Sequence, residues 1–471
     1  MTEPRSRHLI GRALGRVRRA WRDVAGSEPT ALAGSLRPEL SDDDARRLKR
    51  QLDACLRGLG GEVSARAHAA DLGQAYLELK AQGRARFLAL LAAELRPDEA
   101  QVSAAIAALE GTAGEARVAA ERHLRAVLEP PSVRLFTHFN ALPQGVKFLV
   151  DLRADMLPLA KREPGIRTLE EDLKGLLTSW FDIGFLELER VTWDAAASLL
   201  EKLIAYEAVH AIRSWDDLKN RLDSDRRLYA FFHPGMPDEP LIFVEVALTS
   251  GLAGNIQELL DEAAPAQDPD AADSAIFYAI SNAQAGLRGV SFGSFLIKRV
   301  VDDLARDLKG IKHFATLSPL PGFRAWLDGR IGQGDESLLG AAEARELGKL
   351  AGAESGAAAL KSLLNLPEWP QAEATAEALR APLLRLAARY LLAEPGAGRA
   401  RDRVAHFHLT NGARIERINW LADRSEKGLD QSAGIMVNYR YRLQDIEANH
   451  EAYRGEGRIV ASAAVRSLLK G

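Results

Sequence analysis

Apolar residues recur at three- and four-residue intervals through most of the first 185 positions. One such stripe, Leu48, Leu52, Cys55 and Leu56, follows Ser41-Asp42-Asp43-Asp44. There a side-chain oxygen can cap a helix, and acids suit the positive end of its dipole. Gly60-Gly61 ends that helix. The spacing predicts further helices over about 63–81, 83–95, 98–109, 112–128, 145–161 and 168–183. Gly83, Pro97, Gly111, Pro130-Pro131 and Pro143 separate them. Short connections make consecutive helices antiparallel neighbours, so residues 38–190 are expected to form an all-α bundle.

The pattern changes near residue 187. Strand-like runs occur at Arg227–His233, Leu241–Leu248, 275–280 and 311–317. The first two are joined by Pro234-Gly235-Met236-Pro237 and read as a hairpin. Between the last two, Phe295, Leu296, Ile297, Val300, Val301 and Leu304 keep helical spacing. Strands with a helical crossover predict a mixed sheet over residues 191–471. Residues 334–400, rich in alanine, leucine, glutamate and arginine, read as a helical insertion in that domain. The fold class is therefore α+β or α/β, a helical bundle followed by a mixed sheet.

A chain of 471 residues exceeds one ordinary core, which agrees with two domains. A net charge of −3 leaves no basic excess for general nucleic-acid binding. No apolar run is long enough to span a bilayer. One cysteine, Cys55, excludes an internal disulfide and points to a reducing compartment. Residues 1–37 stand apart: seven arginines between Met1 and Asp23 oppose only Glu3 and Asp23. That start reads as a flexible or surface segment on a bacterial cytoplasmic protein, with a mitochondrial presequence and matrix location as the alternative.

The stretch 274–318 is the most informative. A strand, a glycine-bearing loop and a helix follow one another, then a second strand that Pro319 and Pro321 stop just after Ser318. A loop opening a helix aims free N–H groups at one spot and suits phosphate. His406 and His408, two apart, would share one face if their segment were a strand. Such a pair could contribute to a zinc site only with a third ligand, and no cysteine cluster supports one.

The loop Arg288-Gly289-Val290-Ser291-Phe292-Gly293 resembles the pyrophosphate loop of the GNAT acyl-CoA-binding superfamily, with Ser291 where a glycine is usual. Its surroundings resemble the malonyl-CoA decarboxylase family: Gly286–Val290, Phe295–Val301 and Leu317–Phe323. So do Phe407–Ala413, Arg417–Trp420, Asn438–Tyr441, Gly145–Asp155 and Leu188–Trp193. The resemblance runs from about residue 130 to the C-terminus. It implies a GNAT-like catalytic domain and conversion of malonyl-CoA to acetyl-CoA and CO2 without cofactor or metal. It also implies a homo-oligomer, dimer or tetramer. It places the catalytic serine at Ser318 and the catalytic histidine at His408, and leaves open which of them donates the proton. Arg288, Gly289, Val290, Ser291, Phe292, Gly293 and Ser294 would hold the CoA pyrophosphate. Asn411 is a candidate oxyanion donor and Tyr441 a candidate contact to the malonyl group. The competing readings are a GNAT-type acyltransferase, which needs an acceptor amine, and a non-catalytic acyl-CoA sensor.

Overall fold

The computed structural model describes Trp21, Leu32 and residues 34–57, 61–290, 296–394 and 399–470. The arginine-rich start, apart from Trp21, and Ser291, Phe292, Gly293 and Ser294 lie outside the described residues. Eight described helices precede the sheet: α1 Asp42–Arg57, α2 Gly61–Glu78, α3 Ala81–Glu94, α4 Glu99–Glu110, α5 Gly114–Leu128, α6 Pro131–Asn140, α7 Gly145–Leu159 and α8 Pro164–Trp180. The helix α6 occupies a stretch whose prolines suggested only a break. Pro131 sits at its first turn, where a missing N–H costs nothing and a fixed φ suits the helix. The hairpin of α4 and α5 is peripheral: α4 buries only Ala105 and α5 buries no side chain.

The sheet has eight strands among the described residues: β1 Glu187–Val191, β2 Arg226–Phe232, β3 Ile242–Thr249, β4 Ser274–Asn282, β5 His313–Thr316, β6 Ser318–Pro319, β7 Arg414–Asn419 and β8 Met436–Tyr441. Their order is β1-β2-β3-β4-β5-β8-β6, with β7 also on β8. Only β4 and β5 run parallel. The expected boundary at residue 190 falls within β1, which is already paired with β2. Three strands, β1, β7 and β8, occupy segments for which no strand was expected.

One sheet face joins the bundle in a single apolar cluster that includes Phe148, Leu173, Tyr229, Val244, Phe277 and Tyr441. The other face is covered by α9 Ala197–Tyr206 and α10 Trp215–Asn220, through Leu200, Leu203 and Leu218, and by α11 Ile256–Leu259. The crossover between the parallel strands is α12 Leu296–Asp307, which buries Leu296, Ile297, Val300, Val301 and Leu304. Beyond β6 come α13 Phe323–Gly332 and the inserted helices α14 Ala341–Ala351, α15 Gly356–Leu364 and α16 Glu373–Leu392. Then α17 Arg403–Thr410 leads into β7, α18 Glu426–Ser432 precedes β8, and α19 Ile446–Glu456 and α20 Ala463–Ser467 follow it.

The sheet opens at one place. β4 pairs with β5 only from Ser274 to Phe277, and the Leu317 N–H reaches the Phe277 carbonyl. From Tyr278 onward β4 keeps its partner β3 but has no strand on its other side among the described residues. A register shift in the β3–β4 pairing falls at this point, at Glu245/Val246. Such bulges bend a strand and end pairing next to functional sites. Ser318 is the first residue past the parting.

Candidate active site

Ser318 stands on β6, held by pairing with Val437 of β8. Just before it, Asn438 locks β5 to β8. Its Nδ2 donates to the Thr316 carbonyl at 2.6 Å and the Ala253 carbonyl at 3.0 Å. Its Oδ1 accepts from Arg417 at 3.0 Å and Asn419 at 2.9 Å. Thr316 Oγ1 accepts from the Tyr439 N–H at 3.1 Å. Asn438 is fully buried, so its four bonds must all be internal. The family-like residues Arg417, Asn419 and Asn438 thus form one bracket behind the serine.

The segment of His406 and His408 is a helix, α17, not a strand. Asp402 decides this locally: its Oδ1 caps the helix by accepting from Val404 at 2.8 Å and Ala405 at 3.1 Å. Residues two apart on a helix point about 200° apart, so the two histidines face different neighbours. His406 meets the Tyr453 hydroxyl at 2.7 Å. His408 points inward, 2% exposed. Asp402 also accepts from the Gly322 N–H at 3.0 Å. One buried carboxylate therefore ties the histidine's helix to the loop that follows the serine.

These supports bring three residues into one line. His408 Nε2 lies 3.0 Å from Ser318 Oγ, and His408 Nδ1 lies 2.8 Å from the Tyr441 hydroxyl. Tyr439 stacks on the imidazole, with centroids 4.6 Å apart. Ser318 is 6% exposed. Burial pushes the His408 pKa down to about 3, because a charged ring there would lose its hydration. Burial likewise pushes the Tyr441 hydroxyl well above its ordinary value. The imidazole is neutral and the phenol protonated at pH 7. One ring nitrogen then donates and the other accepts, and what Tyr441 does at Nδ1 sets what Nε2 does at Ser318.

Asn411 lies at the C-terminal end of α17, 4% exposed, and gives one Nδ2 hydrogen to the Phe407 carbonyl at 2.8 Å. Arg288 and Gly289 are exposed and Val290 is buried, all beyond the end of β4. Gly289 has a φ of 74°, which favours glycine. The positioning roles of Asp402 and Thr316 escaped the sequence reading. For Asp402 a signal existed: an acid directly before a helical apolar pattern. For Thr316 none did. A surface cleft of about 720 Å³, lined by residues including Glu336, Arg345 and Ser355, lies on the insertion and does not include the Ser–His pair. No helix among the described residues is long and apolar enough to cross a membrane.

A buried serine–histidine–tyrosine line thus lies at the opening of the sheet, an arrangement in which a hydroxyl and an imidazole are within proton-transfer distance. The malonyl-CoA decarboxylase C-terminal domain model matches residues 184–471, and the N-terminal domain model matches residues 95–181. The mitochondrial malonyl-CoA decarboxylase of Rattus norvegicus is 42% identical over 406 residues, which is 83% of this chain and 82% of the rat protein. The crystal structure of malonyl-CoA decarboxylase from Rhodopseudomonas palustris is 42% identical, with TM-score 0.82 over 90% of this chain and 99% of that one. That from Agrobacterium vitis is 40% identical, with TM-score 0.81 over 90% and 99%. The chain belongs to the malonyl-CoA decarboxylase family. It is a carboxy-lyase that converts malonyl-CoA to acetyl-CoA and CO2, which sets aside the transferase and sensor readings.

Proposed function

We propose that Ser318, His408 and Tyr441 carry the decarboxylation as a neutral proton relay. The bond between the malonyl carboxylate and its methylene carbon breaks, and CO2 departs. The electron pair passes into the thioester as an enolate. A hydroxyl donor near the thioester oxygen stabilises that developing charge. The enolate carbon then needs one proton. A thioester enolate carbon is a stronger base than an alkoxide, so the Ser318 O–H can supply it. With Tyr441 donating to Nδ1, the Nε2–H faces Ser318 and returns a proton to its oxygen as the Tyr441 proton passes to Nδ1, so the imidazole stays neutral and the phenolate is left to regain its proton. Solvent restores the relay, so one proton is consumed for each CO2 released.

The observation that carries this reading is the unbroken line of two hydrogen bonds, 3.0 and 2.8 Å, through an imidazole that burial keeps neutral. An imidazolium is not the resting donor. The substrate's own carboxylate would favour ring protonation on binding, but the free enzyme does not need it. The loop at Arg288–Val290, continuing through Ser291–Ser294, is read as the CoA phosphate site. Asn411 is kept as an oxyanion-donor candidate by its amide side chain, buried at the end of α17.

The test is acetyl-CoA and CO2 formation from malonyl-CoA with Ser318→Ala and His408→Asn. Each should lose roughly a hundredfold to ten-thousandfold in kcat, the range for a positioned acid–base group. Near-full turnover in either variant would remove that residue from the relay. The reading also includes a homo-oligomer, whose contact surface would be the poorly buried α4–α5 hairpin. Light scattering of the full chain checks it. Location in a bacterial cytoplasm, or in the mitochondrial matrix, fits a chain whose single cysteine is a buried free thiol, and the rat relative is a mitochondrial protein.

A further inference from the structure

The helical domain touches the glycine-bearing turn more closely than packing requires. Arg153 of α7 is 1% exposed. Its charge is met by Glu170 of α8, with Nη2 at 2.7 Å and Nε at 2.9 Å from the same carboxylate oxygen. The rest of the guanidinium does not stay within the bundle. Nη1 donates to the Gly286 carbonyl, and Nη2 donates to the Arg288 carbonyl at 2.9 Å. At Gly286 the two domains meet backbone to backbone: a Cβ there would lie 1.8 Å from the Val150 carbonyl oxygen.

The second carbonyl has a directional consequence. The Arg288 C=O and the Gly289 N–H belong to one planar trans peptide and point in opposite directions. Holding the oxygen on Arg153 aims the Gly289 N–H away from the bundle, toward the outside of the turn. The N–H groups of Leu287, Arg288 and Val290 already serve carbonyls within the turn. That of Gly289 has no acceptor among the described residues. Lys174 of α8 reaches the same place: a Cβ on Gly289 would lie 3.8 Å from its Nζ. Among the described residues Lys174 has no carboxylate partner.

We propose that the helical domain is part of the acyl-CoA site. Arg153 is a positioning residue that orients the Gly289 amide, and Lys174 supplies a cation beside that amide for a CoA phosphate. The inference rests on the reading of this turn as the phosphate site. The bundle then completes the substrate's anchor while the sheet performs the chemistry.

The test compares two substrates, malonyl-CoA and the malonyl thioester of N-acetylcysteamine, which has the same reacting group and no phosphate. Lys174→Ala should raise KM for malonyl-CoA roughly tenfold, as expected for one charge-assisted contact, with kcat within about twofold. KM for the short thioester should not move, and Lys174→Arg should restore wild-type KM. Arg153→Lys cannot serve both carbonyls and Glu170 with a planar fork, so it should lower kcat/KM for malonyl-CoA selectively. A merely structural role would lower both substrates together. Unchanged KM in Lys174→Ala, or equal losses on both substrates, overturns the proposal. If Arg153→Lys fails to fold, the Lys174 variants decide alone. A wild type that handles the two substrates with equal kcat/KM refutes the phosphate-site reading itself, a different result from either variant outcome.

Discussion

Tyr441→Phe isolates the tyrosine's role, because it removes one oxygen and leaves the ring. The ring's packing against Phe277, with centroids 6.2 Å apart, is retained. What disappears is the 2.8 Å bond at His408 Nδ1. His408 is 2% exposed, so water does not replace it freely. A net hydrogen bond between neutral groups contributes about 1 kcal/mol, and an orphaned buried polar atom costs about 1–3 kcal/mol. About 2 kcal/mol is therefore lost from the arrangement that holds the Nε2–H toward Ser318. At 1.36 kcal/mol per factor of ten, that is roughly a thirtyfold fall in kcat. The assay is steady-state acetyl-CoA formation, with KM expected to change by less than about threefold because the Tyr441 hydroxyl is engaged at His408 Nδ1; a larger rise would instead favour a contact to the malonyl group. ¹⁵N chemical shifts of His408 report the tautomer directly. A kcat within twofold of wild type in a folded Tyr441→Phe, with the Nε2–H tautomer retained, would refute the claim that Tyr441 sets the imidazole.

Four further outcomes follow from the structure. The His408 pKa lies near 3, so kcat/KM should show no histidine-like break between pH 5 and 8; a break near 6.5 that vanishes in His408→Asn would contradict a neutral resting ring. The same depression makes His408 bind a proton more readily unfolded than folded, so its contribution is complete above about pH 6.5 and is lost as pH falls toward 3; urea titrations at pH 7 and 5.5 should show wild type losing more stability than His408→Asn, by up to about 1.4 kcal/mol per pH unit. Gly286→Ala forces a Cβ into the Val150 carbonyl, so a lower melting temperature and a raised KM for malonyl-CoA are expected, and an unaltered protein would show that the two domains do not meet there. Asp402→Ala removes the cap of α17 and its tie to Gly322; the cap alone is worth about 1 kcal/mol, and circular-dichroism melts together with kcat should both fall.

The elements that could be read from the sequence are those whose pattern matches their burial. α12 shows its core face as a helical stripe, and β3 is a nearly unbroken apolar run because it is buried along its whole length. β8 was hidden for the opposite reason. Its Met-Val-Asn-Tyr-Arg-Tyr run carries an asparagine at full burial, and only the bracket to Thr316, Arg417 and Asn419 makes that acceptable. β7 and β8 lie about a hundred residues beyond β5, and pairing at that separation leaves no local trace. Ser318 stood out as a hydroxyl at an expected strand end, whereas in the structure the strand stops earlier, at Thr316, and Ser318 opens β6, which contains Pro319. His408 was singled out by family resemblance alone, and the strand spacing considered for His406 and His408 is not the one found, since their segment is helical. That one member of the pair faces a tyrosine on α19 and the other a serine on β6 follows from the helix that Asp402 caps.

The placement of the relay has its own logic. Parallel pairing ends at Phe277, and beyond β5 the chain continues into β6, which pairs with β8 and not with β4. Among the described residues no strand pairs with that edge of β4 from Tyr278 to Asn282, directly before the turn that Arg153 holds. An extended thioester arm lying along that edge would have its phosphates at the turn and its acyl end at Ser318. The same irregularity thus places an edge of β4 beside the Ser318 hydroxyl, the group proposed to react. Closing it, by any substitution that let β6 continue alongside β4, would remove the site while improving the sheet. The buried bonds of Asn438 and Asp402 hold the elements on either side of the opening, and with them the 3.0 Å contact between Ser318 and His408.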